Sequence, residues 1–403
     1  MHDFGIEKAF SFSDEGLAEL LFSTCERDED PLDLIFDDFR QTGIKQFLEQ
    51  ALEVERDVHL GFGRYWRGIR KGDSRNGYYE RDIELAVGLI EGLKVPRTRK
   101  NTFQSNLIAN YKRRQASVER MIREMFTRGV STRQVGEILR PLLGIEPSAT
   151  TVSRIARGLD EEVKLYKSRP LGDDFVYLVA DAVTMKVKEA PHATKKTVLC
   201  VYGITSKGVR QLLHFQQEAS ESETAWTKAL NNIYNRGLIG ENLKLIVTDG
   251  NQGLINALEM VYPDVRRQRC WAHKLRNVAN CCRKRNEKEL IAQARLIYLA
   301  KTRRDAIAAF KRLRARWLEL EPNAIATLEK DLEELLSMFY IPEEHRKMMR
   351  TTNVIERLFR EVRRRTRPMS CFTNAASCDR IIYAVFSRFN RHWEERPLAA
   401  FTQ

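Results

Sequence analysis

Three carboxylates stand in three different settings: Asp181 inside the apolar run FVYLVADAV, Asp249 at the end of LKLIVTDG, and Glu356 on the basic amphipathic stretch TTNVIERLFREVRRR. Two carboxylates about 4 Å apart repel by roughly 4 kcal/mol at an effective dielectric of 20, so converging acids imply a cation or a raised pKa. Hard divalent ions select oxygen ligands, which makes carboxylates their expected holders. Two such ions about 3.5 to 4 Å apart would activate an oxygen nucleophile and stabilise a leaving oxygen, the needs of phosphodiester hydrolysis or transesterification. The expected metal is Mg2+, with Mn2+ able to substitute.

The elements around these acids follow from residue type. Residues 176–183 and 243–248 are short, β-rich apolar runs, too brief for buried helices, and suit strands of a sheet covered on both faces. Chemistry in such a sheet collects at the carboxyl ends of neighbouring strands, where Asp249 falls outright and Asp181 approximately. Asp249 also suits a plainer role, because it precedes Gly250 and the helical pattern of Leu254, Ala257, Leu258 and Val261 as a turn former or N-cap would. Asp181, flanked by Val179, Ala180, Ala182 and Val183, is costly unless paired or ligated. Glu356 sits at the edge of the stripe Val354, Ile355, Leu358, Phe359 and Val362, beside Asn353, Arg360 and Arg363. With Arg360 it would also make an ordinary surface pair of about 0.3 to 0.5 kcal/mol. The density of arginines favours phosphate: Arg357, Arg360, Arg363, Arg364, Arg365 and Arg367 follow within three turns.

Charge agrees. Of 403 residues, the first 60 hold 5 Lys or Arg against 16 Asp or Glu, net −11; with a total of +13, the remainder carries +24. That basic body favours a polyanionic partner, double-stranded DNA in view of the candidate acids and arginines, while the acidic start, with Leu17, Leu20, Leu21, Leu32, Leu34, Ile35, Phe36 and Phe39 among its charges, suits partner or self-association or else a solvated tail. Nothing approaches 18 consecutive apolar residues and the start is acidic, so no membrane contact and a cytoplasmic, nucleoid-associated location are expected. Seven scattered cysteines are read as reduced thiols. Cys270 and His273 have half of a zinc spacing, but no second pair follows, and zinc is not expected.

DNA recognition is expected ahead of the strands. Residues 116–128, 131–143 and 148 to about 167 read as three helices, with Ser131 and Gln134 as a capping box. The third opens SATTVSRIAR, placing Thr150, Thr151, Ser153, Arg154 and Arg157 where a helix-turn-helix reads DNA; a plain three-helix bundle is the alternative. Upstream, Arg97, Arg99, Lys100, Lys112, Arg113 and Arg114 suit backbone phosphates. Far more chain separates Asp249 from Glu356 than one crossover needs, and residues 275–348 read as all-helical.

The strings DAVTMKVKE, VTDGNQGL, QRCWAHKLRN and TTNVIERLFREVRRRTRPM, in this order, resemble the successive signatures of bacterial insertion-sequence transposases of the Mutator-related family. The likeness includes RNGYYERDIELAVGLIEGLKVPRTR, STRQVGEILRPLLG and YAVFSRFNRHWEERPLAAF, running from about Arg75 to the C-terminus. VADAV replaces a more aromatic lead-in, and Asn251 stands where a histidine or another residue often follows the second acid. The resemblance implies a DDE-type recombinase: an α/β protein with a ribonuclease H-like core, a mixed five-stranded sheet with flanking helices, interrupted by an all-helical insertion. It places the catalytic and metal-holding acids on Asp181, Asp249 and Glu356, and auxiliary roles on Cys270, His273, Asn353 and Arg357, with His273 near the scissile phosphate. The implied organisation is an N-terminal interaction or dimerisation region at 1–70, a DNA-binding region with a small β element at 71–168, core at 169–274 and 349–403, and the insertion at 275–348. The implied activity is binding of terminal inverted repeats, cleavage at the element end to leave a 3′-OH, and strand transfer, with single-strand cleavage and a copied circular intermediate, in a homodimer or larger synaptic assembly. Two alternatives differ in activity: a structure-selective nuclease or resolvase that cuts without joining, and a sequence-specific repressor whose acids are merely structural.

Overall fold

The computed structural model describes residues 31–63, 72–108, 112–189, 192–366, 372 and 374–401. Leu17, Leu20, Leu21 and Arg367 lie outside the described residues. The chain divides into two compact units, Met1–Ala156 and Arg157–Gln403.

In the first unit, helix α1 (Pro31–Phe39) passes through a π-helical stretch, Arg40–Ile44, into α2 (Lys45–Leu60). Strands β1 (Arg75–Leu85) and β2 (Gly88–Thr98) form an antiparallel hairpin, and Ile83, Ile90, Leu93 and Val95 bury against Leu52 of α2. Helices α3 (Ala116–Thr127), α4 (Gln134–Leu143) and α5 (Ala149–Arg157) follow. The capping box is reciprocal: the Gln134 N–H donates to Ser131 Oγ at 3.2 Å, and the Ser131 N–H to Gln134 Oε1 at 3.2 Å. The long third helix is not continuous. It stops at Arg157, and α6 (Leu159–Ser168) begins beyond Gly158, the residue least able to sustain a helix short of proline.

The second unit is built on a mixed five-stranded sheet of order β5-β4-β3-β6-β7. Strands β3 (Phe175–Glu189), β4 (His192–Thr205) and β5 (Arg210–Glu218) are antiparallel, whereas β6 (Leu245–Thr248) and β7 (Arg267–Arg269) run parallel to β3. Strand β3 is longer than its apolar run because residues after 182 alternate: Val183, Met185 and Val187 are buried, Thr184, Lys186 and Lys188 exposed. On one face α7 (Glu223–Asn235) and α8 (Gln252–Val261) pack Trp226, Leu230, Leu254 and Leu258 onto Leu178, Ala180, Leu199 and Ile246.

Helices α9 (Trp271–Asn280), α10 (Lys284–Leu299), α11 (Arg303–Trp317), α12 (Pro322–Lys330), α13 (Leu332–Leu335) and α14 (Glu343–Met349) come next. Helices α9 to α13 share a core of their own around Leu290, Phe310, Leu313 and Leu328. The chain then forms α15 (Asn353–Thr366) and α16 (Ala375–Glu394), which cover the other face of the sheet: Phe386 lies edge-on to Phe215 at 5.5 Å and to Phe359 at 5.8 Å. No helix among the described residues is long and apolar enough to cross a membrane.

Candidate active site

The parallel ladder between β3 and β6 is short, running from Tyr177 paired with Leu245 to Val179 paired with Val247. Asp181 and Asp249 each lie two residues beyond that last pair. Asp181 is therefore in the middle of β3 but at the end of its parallel pairing, which is where the carboxyl-end rule applies. On the far side β7 ends level with β6: Thr248 pairs with Arg269, and the Cys270 N–H donates to the Thr248 carbonyl at 2.7 Å. The edge thus presents Asp181 on β3 with Asp249 and Cys270, each one residue past the end of its strand.

Asp181 is 4% exposed, and its Oδ1 accepts the Ala182 N–H at 2.8 Å. Burial pushes its carboxyl up to about 6, and Asp249 adds to the effect, against the opposing influence of Thr352 and His273. Asp249 does not cap α8. Asn251 does, accepting the Leu254 N–H at 3.2 Å, while Asp249 accepts the Asn251 N–H at 2.9 Å. Gly250 makes that turn at φ 89, in the left-handed region where a side chain is strained.

Glu356 lies in the first turn of α15, with Oε1 3.6 Å from His273 Nε2 and 3.8 Å from an Arg276 nitrogen. Asp181, His273, Glu356, Arg360 and Arg363 line one cavity of about 350 Å³. Thr352, fully buried, ties this site together: its N–H donates to Cys270 Sγ at 3.3 Å and its Oγ1 lies 3.4 Å from His273 Nδ1. A hydrogen bond with Cys270, then the charges of Cys270, Asp181 and Asp249, lift His273 to about 9, so the imidazole is cationic at neutral pH.

Two residues that the sequence reading passed over belong here. Thr352 is one. Glu221 is the other: it precedes Ser222, the N-cap of α7, accepts the Trp226 Nε1–H at 3.1 Å, and is pushed up to about 7 by burial, then by Asp249 and Asp181. The donor chemistry suits a hard divalent cation, since the acids supply oxygen and the buried, mutually repelled Asp181 is the group a cation would relieve. As they stand, no three His, Cys, Asp or Glu side chains among the described residues are gathered closely enough to ligate one ion.

The remaining candidates are sorted by their contacts. Asn353 and Arg357 line a second, larger cavity beside the first. Arg360, Arg363 and Arg364 are exposed on α15, Arg364 3.4 Å from Glu361. Arg365 instead turns inward, 5% exposed and bonded to the Glu361 carbonyl at 2.7 Å and carboxylate at 3.0 Å. It lies three positions beyond Val362 on the buried stripe of α15, a spacing that foretold its direction. In the first unit Arg97, Arg99, Lys100, Lys112 and Arg113 are exposed, whereas Arg114 grips the Glu84 carboxylate with two nitrogens. Thr150 and Arg154 are exposed on α5 and Ser153 is half-buried; Thr151 is held at the start of the helix, its N–H donating to Ser148 Oγ at 3.2 Å. Arg157 is exposed and opens the second unit.

Residues 18–396 match the family described as Transposase, Mutator family. The chain belongs to that family. This transposase is 33% identical over 352 residues to the transposase for insertion sequence element ISRM5 of Rhizobium meliloti (strain 1021), covering 87% of this chain and 88% of that one. It is 34% identical over 353 residues to the transposase for element IS406 of Burkholderia multivorans (strain ATCC 17616 / 249), covering 87% and 90%. It is 31% identical over 361 residues to the transposase for element IS256 in transposon Tn4001 of Staphylococcus aureus, covering 89% and 91%.

Proposed function

We propose that this transposase is a DDE-type recombinase that binds the terminal inverted repeats of an insertion sequence, cleaves DNA at the element end to leave a 3′-OH, and joins that end to target DNA. The observation that carries the reading is the level placement of Asp181 and Asp249 beyond the β3–β6 ladder, with Glu356 on the wall of the Asp181 cavity. The sheet order, three antiparallel strands followed by two parallel ones, supports a ribonuclease H-like core at 169–274 and 349–403. The separate hydrophobic core of α9 to α13 supports a helical insertion at 275–348. Residues 71–168 are assigned to end binding, and 1–70 to assembly of a homodimer or larger synaptic complex.

Asp181, Asp249 and Glu356 would hold Mg2+, or Mn2+ in its place, and the metal when bound supplies an activated oxygen nucleophile and charge stabilisation of the leaving oxygen. Joining the other acids requires the half-exposed Glu356 side chain to leave His273 and Arg276 and turn across the shared cavity. Cationic His273 donates a hydrogen bond to a phosphate oxygen, and Cys270 and Thr352 hold its ring in place. Arg357 and Arg360 balance phosphate charge as the bond changes hands.

The test incubates the protein with Mg2+, a labelled element end and target DNA. Joined product is expected. Nicking without joining would identify a nuclease, and undiminished activity in Asp249→Asn would remove the acids from the chemistry.

A further inference from the structure

Beside the acid-lined cavity lies a much larger cleft of about 1300 Å³ between α9, α10, α15 and α16. Seven cations line it, six of them Arg276, Arg295, Lys347, Arg350, Arg357 and Arg360, against two acids, Glu287 and Glu361. Both acids are already paired, Glu287 with Lys284 at 2.7 Å and Glu361 with Arg365 at 3.0 Å, so the cleft presents net positive charge. It also has an aromatic side. Trp271 and Tyr298 pack with ring centroids 5.1 Å apart and planes tilted by 59°, and the half-exposed Arg350 guanidinium lies 4.9 Å from the Tyr298 centroid, itself half-exposed. The two cavities share a wall: Arg360 lines both, and Arg276 reaches from the cleft to within 3.8 Å of Glu356.

A polyanion alone would need only the cations. The half-exposed Arg350 and Tyr298 add what a paired duplex cannot use, since its bases are stacked on one another, whereas a base out of the helix can stack on an aromatic ring or guanidinium plane. We infer that the cleft is a binding site for an unpaired nucleotide of the DNA strand adjoining the scissile phosphate, its base on Arg350 and Tyr298 and its phosphates on Arg276 and Arg360. The inference rests on the proposed function, because that reading places the phosphate in the smaller cavity. It makes this transposase a reader of distorted DNA at the cut.

The test measures binding of the full-length protein, in EDTA, to a fluorescent duplex and to the same duplex carrying a short bulge. Bulged DNA should bind about tenfold more tightly, the low end of base stacking on a protein surface. Arg350→Lys keeps the charge but removes the plane, and should abolish the preference while leaving duplex affinity unchanged. Tyr298→Phe should retain it. An iodouracil in the bulge should photocrosslink to residues lining the cleft. Equal affinity for both DNAs, an unaltered preference in Arg350→Lys, or crosslinks confined elsewhere would overturn the inference. So would loss of the preference to free deoxynucleoside monophosphate, which would make the cleft a mononucleotide site. Because binding is read without metal, failure here with Mg2+-dependent joining intact sinks only the cleft, and the converse sinks only the chemistry.

Discussion

Asp181 on β3 and Asp249 just past the end of β6 stand level with each other, each two residues beyond the parallel pair Val179 and Val247. That level placement makes their charges repel within a largely buried edge, and it motivates the first prediction. Asp181→Asn and Asp249→Asn remove charge while keeping shape, so both variants should fold and bind element ends. Nicking and joining should fall roughly a hundredfold or more, the scale of losing one group aimed at developing charge. Single-turnover cleavage with parallel binding measurements checks this; full activity in either variant contradicts it.

Arginines on one helix should fail in opposite ways. Arg360 and Arg363 are exposed beside the acid cavity, so Arg360→Ala and Arg363→Ala should weaken DNA binding evenly across sequences and lower the salt slope by about 0.9 per lost phosphate contact. Arg365→Ala instead removes a buried side chain and its bonds to Glu361, which keeps Arg364 at 3.4 Å, and should cost about 1 to 2 kcal/mol of stability, the scale of lost hydrogen bonds to a charged group. Salt titrations and urea unfolding separate the two classes; an Arg365 variant of normal stability but weak DNA binding would reverse the assignment.

Local signals in the sequence carried through where local physics decides. The Ser131 and Gln134 box needs only four consecutive residues, and the end of β6 at Thr248 follows from an apolar run meeting Asp249 and Gly250. Arg365 was misread because charge was weighed ahead of its place on the Leu358 and Val362 stripe. Glu221 was invisible for a different reason. Its position depends on the start of α7 meeting the start of α8, where Asn256 Nδ2 donates to Glu223 at 2.6 Å and a Cβ on Gly253 would fall 2.6 Å from the Glu223 nitrogen. No spacing within one segment encodes that approach.

Thr352 couples the helix of Glu356 to the pair Cys270 and His273, so its hydroxyl should matter beyond its volume. Thr352→Val keeps the shape and loses the Oγ1 contact to His273, with an expected loss of about 1 kcal/mol in stability for one buried hydrogen bond. Cleavage should fall while end binding holds, because the imidazole is no longer fixed from behind. Thr352→Ser should restore cleavage; if the serine variant is as slow as the valine one, the hydroxyl is not the working group.

Acid should loosen the fold through a buried residue of β5, two strands from Asp181. His214 on β5 is 3% exposed and within 3.3 Å of Gln216 Oε1, and burial depresses its imidazole from 6.5 to about 4, with Arg236, Lys167 and Arg169 opposing a further positive charge. The sign follows from proton uptake: between pH 6.5 and 4 the unfolded chain binds a proton at this residue that the folded chain refuses, so stability drops as pH falls through that window. Above pH 6.5 the residue contributes no slope. The full loss near pH 4 is roughly 3 kcal/mol at about 1.4 kcal/mol per pH unit. Urea unfolding of wild type and His214→Leu across this window should show the variant flatter by that amount. Parallel curves would mean that the buried ring takes up its proton at the ordinary pH, and that the cations around it exert no pressure on its charge.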